Sequence, residues 1–244
     1  MSHIEVQNVS LRFRLYHDKT PSLKDYMANF FRAKAHAKFT DFWALKEVSL
    51  MIQRGDRVGI VGHNGAGKST LLKTICRIYS PQSGSVKISG RVAPLIEIGA
   101  GFNPEFSGRD NIYFSGSILG YSKVELKRLE GEIISFTGLE EFIDTPVKYY
   151  STGMYMKLAF AIATAVHPEI LVLDEAFAGG DASFIEKAKK RMIDFIDKAS
   201  ILVCVSHDMD LVRTLCNRVI WLDHGQLKAD GDPEQVIQQY LAAR

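Results

Sequence analysis

Gly62-His63-Asn64-Gly65-Ala66-Gly67-Lys68-Ser69, with Thr70 after it, constrains this chain more than any other stretch. It reads G-x-x-x-x-G-K-S, the spacing of a loop that cradles phosphates. Arg57-Val58-Gly59-Ile60-Val61 before it has the apolar character of a buried strand, and Thr70-Leu71-Leu72-Lys73-Thr74-Ile75 after it can continue as a helix. That order of strand, loop and helix is the setting the chemistry requires. Glycines accept positive φ and let backbone N–H groups come close to phosphate oxygens. The helix N-terminus adds partial positive charge. Lys68 is then expected to reach the β/γ-phosphates of a nucleoside triphosphate such as ATP, and Ser69 to offer a hydroxyl to Mg²⁺.

Composition narrows the surroundings of that loop. With 244 residues and 46% hydrophobic content, the chain can bury a large core. Its 30 basic and 28 acidic residues nearly cancel, which argues against a nucleic-acid footprint over the whole surface. Cys76, Cys204 and Cys216 lie far apart in sequence with no metal-type spacing, which suits a reducing compartment. The N-terminus lacks the basic-then-apolar pattern of a secretion signal. The longest apolar run, Leu158 to Val166, falls short of the roughly 20 residues a membrane span needs. Any membrane role is therefore expected to be peripheral or through a partner.

Ile4 to Leu11 alternates apolar and polar residues as a half-buried strand does, and Val48 to Ile52 repeats the pattern. Between them, about His17 to Phe42, lies a segment longer than an ordinary strand connection. Within it Leu23, Tyr26, Met27, Phe30 and Phe31 share one face of a helix that Ser22 can cap, followed by Arg32, Lys34 and Lys38. That face either packs on its own domain or lies at a membrane surface or against a membrane partner. A helical pattern then runs from Ser107 to Gly138, with helices expected over Asp110 to Leu119 and Lys123 to Thr137, and Tyr149 to Met154 leads into a third helix through Val166. The second half alternates strands and helices, so the expected fold is α/β with a parallel sheet.

Two strands of that sheet end in chemistry. Ile170-Leu171-Val172-Leu173 closes on Asp174-Glu175. At the edge of a parallel sheet that also carries the phosphate loop, Asp174 can hold Mg²⁺ and Glu175 can polarise an attacking water. Ile201 to Ser206 ends at His207, placed to contact the γ-phosphate. The other histidines have no comparable context.

In combination these motifs resemble the nucleotide-binding subunit of ABC transporters across nearly the whole chain. The resemblance implies a single P-loop ATPase domain over residues 1–244, with an N-terminal antiparallel β subdomain and a helical signature subdomain over about 103–160. It also assigns Tyr150-Ser151-Thr152-Gly153-Met154 to the signature loop, where Ser151, Thr152 and Gly153 contact ATP held by a second copy. Asp181 matches the loop that lines that dimer interface. Glu97 stands where the family usually has a glutamine that senses Mg²⁺ and the membrane partner. Phe13 matches the aromatic that stacks on adenine, with Tyr16 and Trp43 as rivals.

Y-S-T-G-M, Gly99 to Glu105 and Gly108-Arg109-Asp110-Asn111 look like the polysaccharide-export branch of the family. The resemblance implies ATP, Mg²⁺, a second copy of the chain, a transmembrane permease and a lipid-linked polysaccharide, at the cytoplasmic side of the inner membrane. The segment at 17–42 is similar to that of O-antigen and teichoic-acid exporters. Some O-antigen exporters add a C-terminal carbohydrate-binding domain, and none is expected in this sequence. O-antigen is the expected cargo, with capsule or teichoic acid as the alternative. The rival from another class is a soluble ABC ATPase acting on DNA or ribosomes. Such proteins usually carry long coiled-coil insertions or tandem halves, and this chain shows neither.

Overall fold

A computed structural model describes residues 2–16, 39–96, 98–99, 101–174 and 182–243. The chain forms two sheets with helices between and around them. Strands β1 (His3–Tyr16), β2 (Phe39–Gln53) and β4 (Ser83–Ser89) make a three-stranded antiparallel sheet in the order β2-β1-β4. The larger sheet has the order β5-β6-β7-β3-β8-β9. In it β5 (Val92–Leu95), β6 (Ile170–Asp174), β7 (Ile201–Val205), β3 (Arg57–Val61) and β8 (Arg218–Asp223) run parallel. β9 (Gln226–Gly231) closes the edge antiparallel to β8. The mainly parallel core and the N-terminal antiparallel subdomain match the expectation from sequence. The β8–β9 hairpin was not anticipated.

Helix α1 (Lys68–Ile75) lies between the two sheets. Leu71, Leu72 and Ile75 are wholly buried and join Ile4, Leu45 and Ile52 of the small sheet to Val58, Ile60, Val172 and Val203 of the large one. The loop that precedes α1 is thereby fixed from both sides. Burial of each such side chain contributes about 1.5–3 kcal/mol. On the other face of the large sheet, Phe195 and Ile196 of α5 (Ala182–Lys198), Val212 of α6 (Met209–Leu215) and Ile237 of α7 (Pro233–Ala242) form a second core.

A third core belongs to the helical subdomain, built from α2 (Gly108–Ile118), α3 (Lys123–Thr137) and α4 (Thr152–Ala163) around Ile112, Leu126, Ile133, Leu158 and Ile162. Its helix starts are written in the sequence. Ser107 with Asp110, and Ser122 with Glu125, each form a capping box. Asn111, wholly buried, ties the preceding glycine-rich segment to α2: its amide donates to the carbonyls of Asn103, Phe106 and Ser107 and accepts from Asn103 N–H. Arg109 holds the same corner through Asp144 and Glu130.

The segment expected to be an insertion at 17–42 begins after β1 and reaches into β2, because Phe39 to Phe42 already pair with Tyr16 to Phe13. The amphipathic stretch Ser22–Arg32 lies outside the described residues. So do Glu97, Glu175 and Asp181.

Candidate functional site

The C-terminal ends of β3, β6 and β7 meet the start of α1 at one edge of the parallel sheet. There a cleft of about 300 Å³ is lined by Phe42, Ala44, Asn64, Gly65, Gly67, Lys68, Ser69, Thr70, Asp174, Val205 and His207. Residues separated by more than a hundred positions thus share one wall, because parallel strands place all their C-terminal ends together. Gly62, His63 and Ala66 belong to the loop without lining the cleft. Ala66 is wholly buried against the core.

Two glycines explain the loop's shape. At Gly67, φ is +104° and an added Cβ would lie 2.4 Å from Ala44 O. At Gly62, φ is +152° and a Cβ would lie 2.2 Å from Leu222 O. Both neighbours are backbone atoms that cannot swing aside. Gly67 is also the N-cap of α1, so no side chain accepts the helix's first N–H groups, and no acidic residue occupies the first turn. The exposed end of the dipole therefore remains available to an anion. Lys68, 7% exposed, donates from Nζ to the carbonyls of Gly62 at 2.8 Å and His63 at 3.1 Å. Those bonds hold the ammonium inside the loop until a stronger acceptor competes for it.

Asp174 and Ser69 offer a carboxylate and a hydroxyl to the same cleft. These are hard oxygen donors of the kind Mg²⁺ takes, so the residues present fit that ion. His207 is presented by a tight turn: Ser206 Oγ accepts from Asp208 N–H at 3.0 Å, and the Asp208 carboxylate caps α6 by accepting from Asp210 and Leu211 N–H.

The aromatic wall of the cleft differs from the expectation. Phe42 lines it, whereas Phe13, which sits directly across the β1–β2 pair from Phe42, packs edge-on against Tyr79 with ring centroids 5.4 Å apart. Trp43 lies under the Arg12 guanidinium, outside the cleft lining. Phe42 went unread because the register of β2 across the long connection is not visible in the sequence.

Ser151, Thr152 and Gly153 are not among the cleft's residues. They form the start of α4, where Ser151 Oγ accepts from Met154 N–H at 3.2 Å. Tyr155, one turn in, donates its hydroxyl to Gly99 O at 2.8 Å and stacks near Phe102, which links α4 to the glycine-rich segment at Gly99–Pro104.

The ABC transporter family matches residues 45–178, more than half of the chain. The O-antigen export system ATP-binding protein RfbB of Klebsiella pneumoniae is 38% identical over 240 residues, covering 98% of each chain. The RfbB protein of Myxococcus xanthus is 43% identical over 96% of this chain, which spans 54% of that protein's length. The teichoic acids export ATP-binding protein TagH of Lactococcus lactis is 43% identical over 82% of this chain and 43% of its own. Among solved structures, the ATP-binding subunit of an ABC transporter superposes with a TM-score of 0.68 at 22% identity, over 97% of this chain and 92% of that one. A phosphate loop, a strand-end aspartate and a strand-end histidine on one sheet edge, together with the family match and the likeness to the Klebsiella protein over 98% of both chains, show that the chain belongs to the ABC transporter family.

Proposed function

We propose that the chain binds and hydrolyses Mg²⁺-ATP to drive export of a lipid-linked O-antigen polysaccharide. The reading rests on one observation: Lys68, Ser69, Asp174 and His207 converge on one cleft, while Ser151, Thr152 and Gly153 sit apart from it at the exposed start of α4. In this reading the cleft supplies one half of a γ-phosphate site, and the start of α4, which does not line the cleft, supplies the other. Two copies arranged head to tail bring them together around two nucleotides.

In that arrangement the N–H groups of Gly65 to Ser69 and the Lys68 ammonium bind the phosphates. Ser69 and Asp174 would hold Mg²⁺, which neutralises charge between the β- and γ-phosphates. Glu175, which follows β6 in sequence, orients the attacking water and accepts its proton. His207 donates to the γ-phosphate, and Ser151 with the N–H of Gly153 closes the site from the second copy. Asp181 lies at the interface between copies, and Glu97 reports the metal to the membrane partner. Phe42 takes the base-stacking position, with Phe13 supporting it from the neighbouring strand.

Among the described residues no helix is long and apolar enough to cross a membrane. In this reading a separate transmembrane permease supplies the path, with this subunit on the cytoplasmic side of the inner membrane, as the likeness to export ATP-binding proteins supports. The amphipathic pattern of Ser22–Arg32 suits a role at the membrane face near the lipid-linked sugar. O-antigen is favoured by the RfbB names at full coverage, and teichoic acid stands second on the likeness to TagH.

The test is co-purification with the permease followed by ATPase and export assays. Glu175→Gln is expected to hydrolyse about 10²–10⁴-fold more slowly and to accumulate as an ATP-dependent dimer. A Glu175→Gln protein that stays monomeric with ATP sinks the two-copy mechanism. Deleting Ser22–Arg32 is expected to block export while sparing ATPase; unfolding of that variant would make the stretch a packing element.

A further inference from the structure

The turn between β8 and β9 lies against the back of the phosphate loop. Gly225 N–H donates to Ala66 O at 2.9 Å, and Gly225 O accepts from Lys46 N–H at 2.8 Å. Three ligand-type side chains meet at this seam. One atom each from His63, Asp223 and His224 lies within 4.8 Å of the others. His63 Nε2 is 2.9 Å from Asp223 Oδ1, and His224 Nε2 is 3.8 Å from the same oxygen. The two imidazoles are tilted by 57° with centroids 4.7 Å apart.

The protonation of His63 follows from its other nitrogen. Nδ1 lies 2.7 Å from Asn64 O, and a carbonyl only accepts, so Nδ1 carries the proton. In the neutral ring Nε2 then presents a lone pair beside a carboxylate. Nε2 is shielded from solvent and makes no aligned hydrogen bond, although Asp223 is within ion-pairing distance. A lone pair and a carboxylate held this close are an attractive site for a shared cation. The Nε2–Oδ1 approach lacks the alignment of a hydrogen bond, whereas a metal ion sits off the line joining its ligands. Ligand atoms around a tetrahedral Zn²⁺ with bonds of about 2.0–2.2 Å are spaced about 3.3–3.6 Å apart, between the two nitrogen–oxygen separations here. A backbone carbonyl on the far ring nitrogen is the usual outer partner of a metal-binding histidine. Two imidazoles and one carboxylate favour a borderline transition-metal ion over Mg²⁺, which prefers oxygen.

We propose that His63, Asp223 and His224 bind a dication of the Zn²⁺ class, with water at the fourth position, and that the ion ties the phosphate loop to the β8–β9 turn. None of the three lines the nucleotide cleft. The coupling runs through His63, whose carbonyl accepts from Lys68 Nζ at 3.1 Å. Fixing His63 holds the loop in the arrangement where Lys68 is bonded to the loop's own carbonyls, an arrangement a triphosphate must displace. Metal occupancy therefore lowers ATP affinity, and ATP lowers metal affinity by the same factor.

The test titrates the metal-stripped full chain with Zn²⁺ alone, by calorimetry against a competing chelator, and compares Asp223→Asn and His224→Asn. Asparagine tolerates the φ of +47° at position 224. One ion per chain is expected. Either variant should weaken binding at least about tenfold, since losing a direct ligand costs no less than losing an outer-shell partner. Both variants should hydrolyse Mg²⁺-ATP at the unmodified rate. X-ray absorption of the Zn²⁺ complex should show only nitrogen and oxygen neighbours. A first shell containing sulfur, or equal affinity in all three proteins, would place the ion elsewhere, with Cys204 and Cys216 (Sγ atoms 3.4 Å apart) the obvious rival, and overturn the site. Absence of Zn²⁺ binding would do the same. Zn²⁺ held by these residues without any change in ATP affinity would overturn the tie to the phosphate loop.

Discussion

The phosphate loop and the start of α4 are both glycine-bearing helix N-termini, yet the chain treats them in opposite ways. The phosphate loop is locked from within. Its Gly67 and Gly62 press against backbone atoms of Ala44 and Leu222, and α1 is buried between two sheets. At the start of α4, a Cβ on Gly153 would meet nothing nearer than Ser151 Oγ at 3.9 Å, and Ser151 and Thr152 are exposed. The first set of glycines is required by this chain's own packing. Among the described residues no contact requires a glycine at position 153; under the proposed two-copy arrangement its place is on the face that meets the second copy.

That contrast can be broken experimentally. The largest effect is expected from Lys68→Ala, which removes the buried ammonium from the cleft. Loss of one such charge-stabilising donor costs on the order of 10²–10³ in turnover, readable by ATPase assay in the permease complex. Paired glycine substitutions come next. Gly67→Ala forces a side chain to φ +104° against a carbonyl, costing about 1–3 kcal/mol from backbone strain alone. It should lower the urea midpoint and abolish nucleotide binding together. Gly153→Ala should leave stability within about 0.5 kcal/mol and leave nucleotide binding by the single chain intact, while impairing ATP-dependent dimerisation. Equal stability losses at the two glycines would erase the distinction.

Phe42→Ala sharpens the cleft side of the comparison. If its ring stacks on the base, its removal weakens ATP binding by about 1–3 kcal/mol, measured with a fluorescent analogue. Phe13→Ala should act mainly on stability through its lost contact with Tyr79. The reverse ranking would return the stacking role to Phe13. Ser151→Ala removes the α4 cap and should cost about 1 kcal/mol, with a further loss of dimerisation that a purely structural cap would not produce.

The smallest effect is one of pH. The Ser122 hydroxyl and N–H hold the Glu125 carboxyl down at about 2 from its usual 4.5, with Arg91 adding to the effect. A depressed carboxyl contributes stability that is complete above about 4.5 and lost as pH falls toward about 2. The helical subdomain should therefore loosen over that window, and Glu125→Gln should flatten the acid limb of a hydrogen-exchange profile for α3. An unchanged acid limb in that variant would remove Glu125 from the account.

The phosphate loop, the strand ending at Asp174, the place of His207 and the helical runs after Ser107 were legible because each depends on local pattern. Loop glycines, caps and apolar runs act over a few residues, and parallel strands then carry their C-terminal ends to one edge whatever lies between them. Strand register and proximity across the sheet have no such local sign. The pairing of Phe42 with Phe13, the β8–β9 hairpin, the approach of Cys204 to Cys216 and the meeting of His63 with Asp223 and His224 depend on how β1 meets β2 and how β8 lies beside β3. The cysteines show the difference plainly. They are separated in sequence without any metal-type spacing, yet they face each other across the second core, where the bond to Cys216 and burial push the Cys204 thiol up. The sequence by itself determined the chemistry of phosphate binding, because that chemistry is local. Which aromatic faces the cleft and which histidines meet behind the loop were decided only by tertiary structure, because both depend on strands far apart in the chain coming into register.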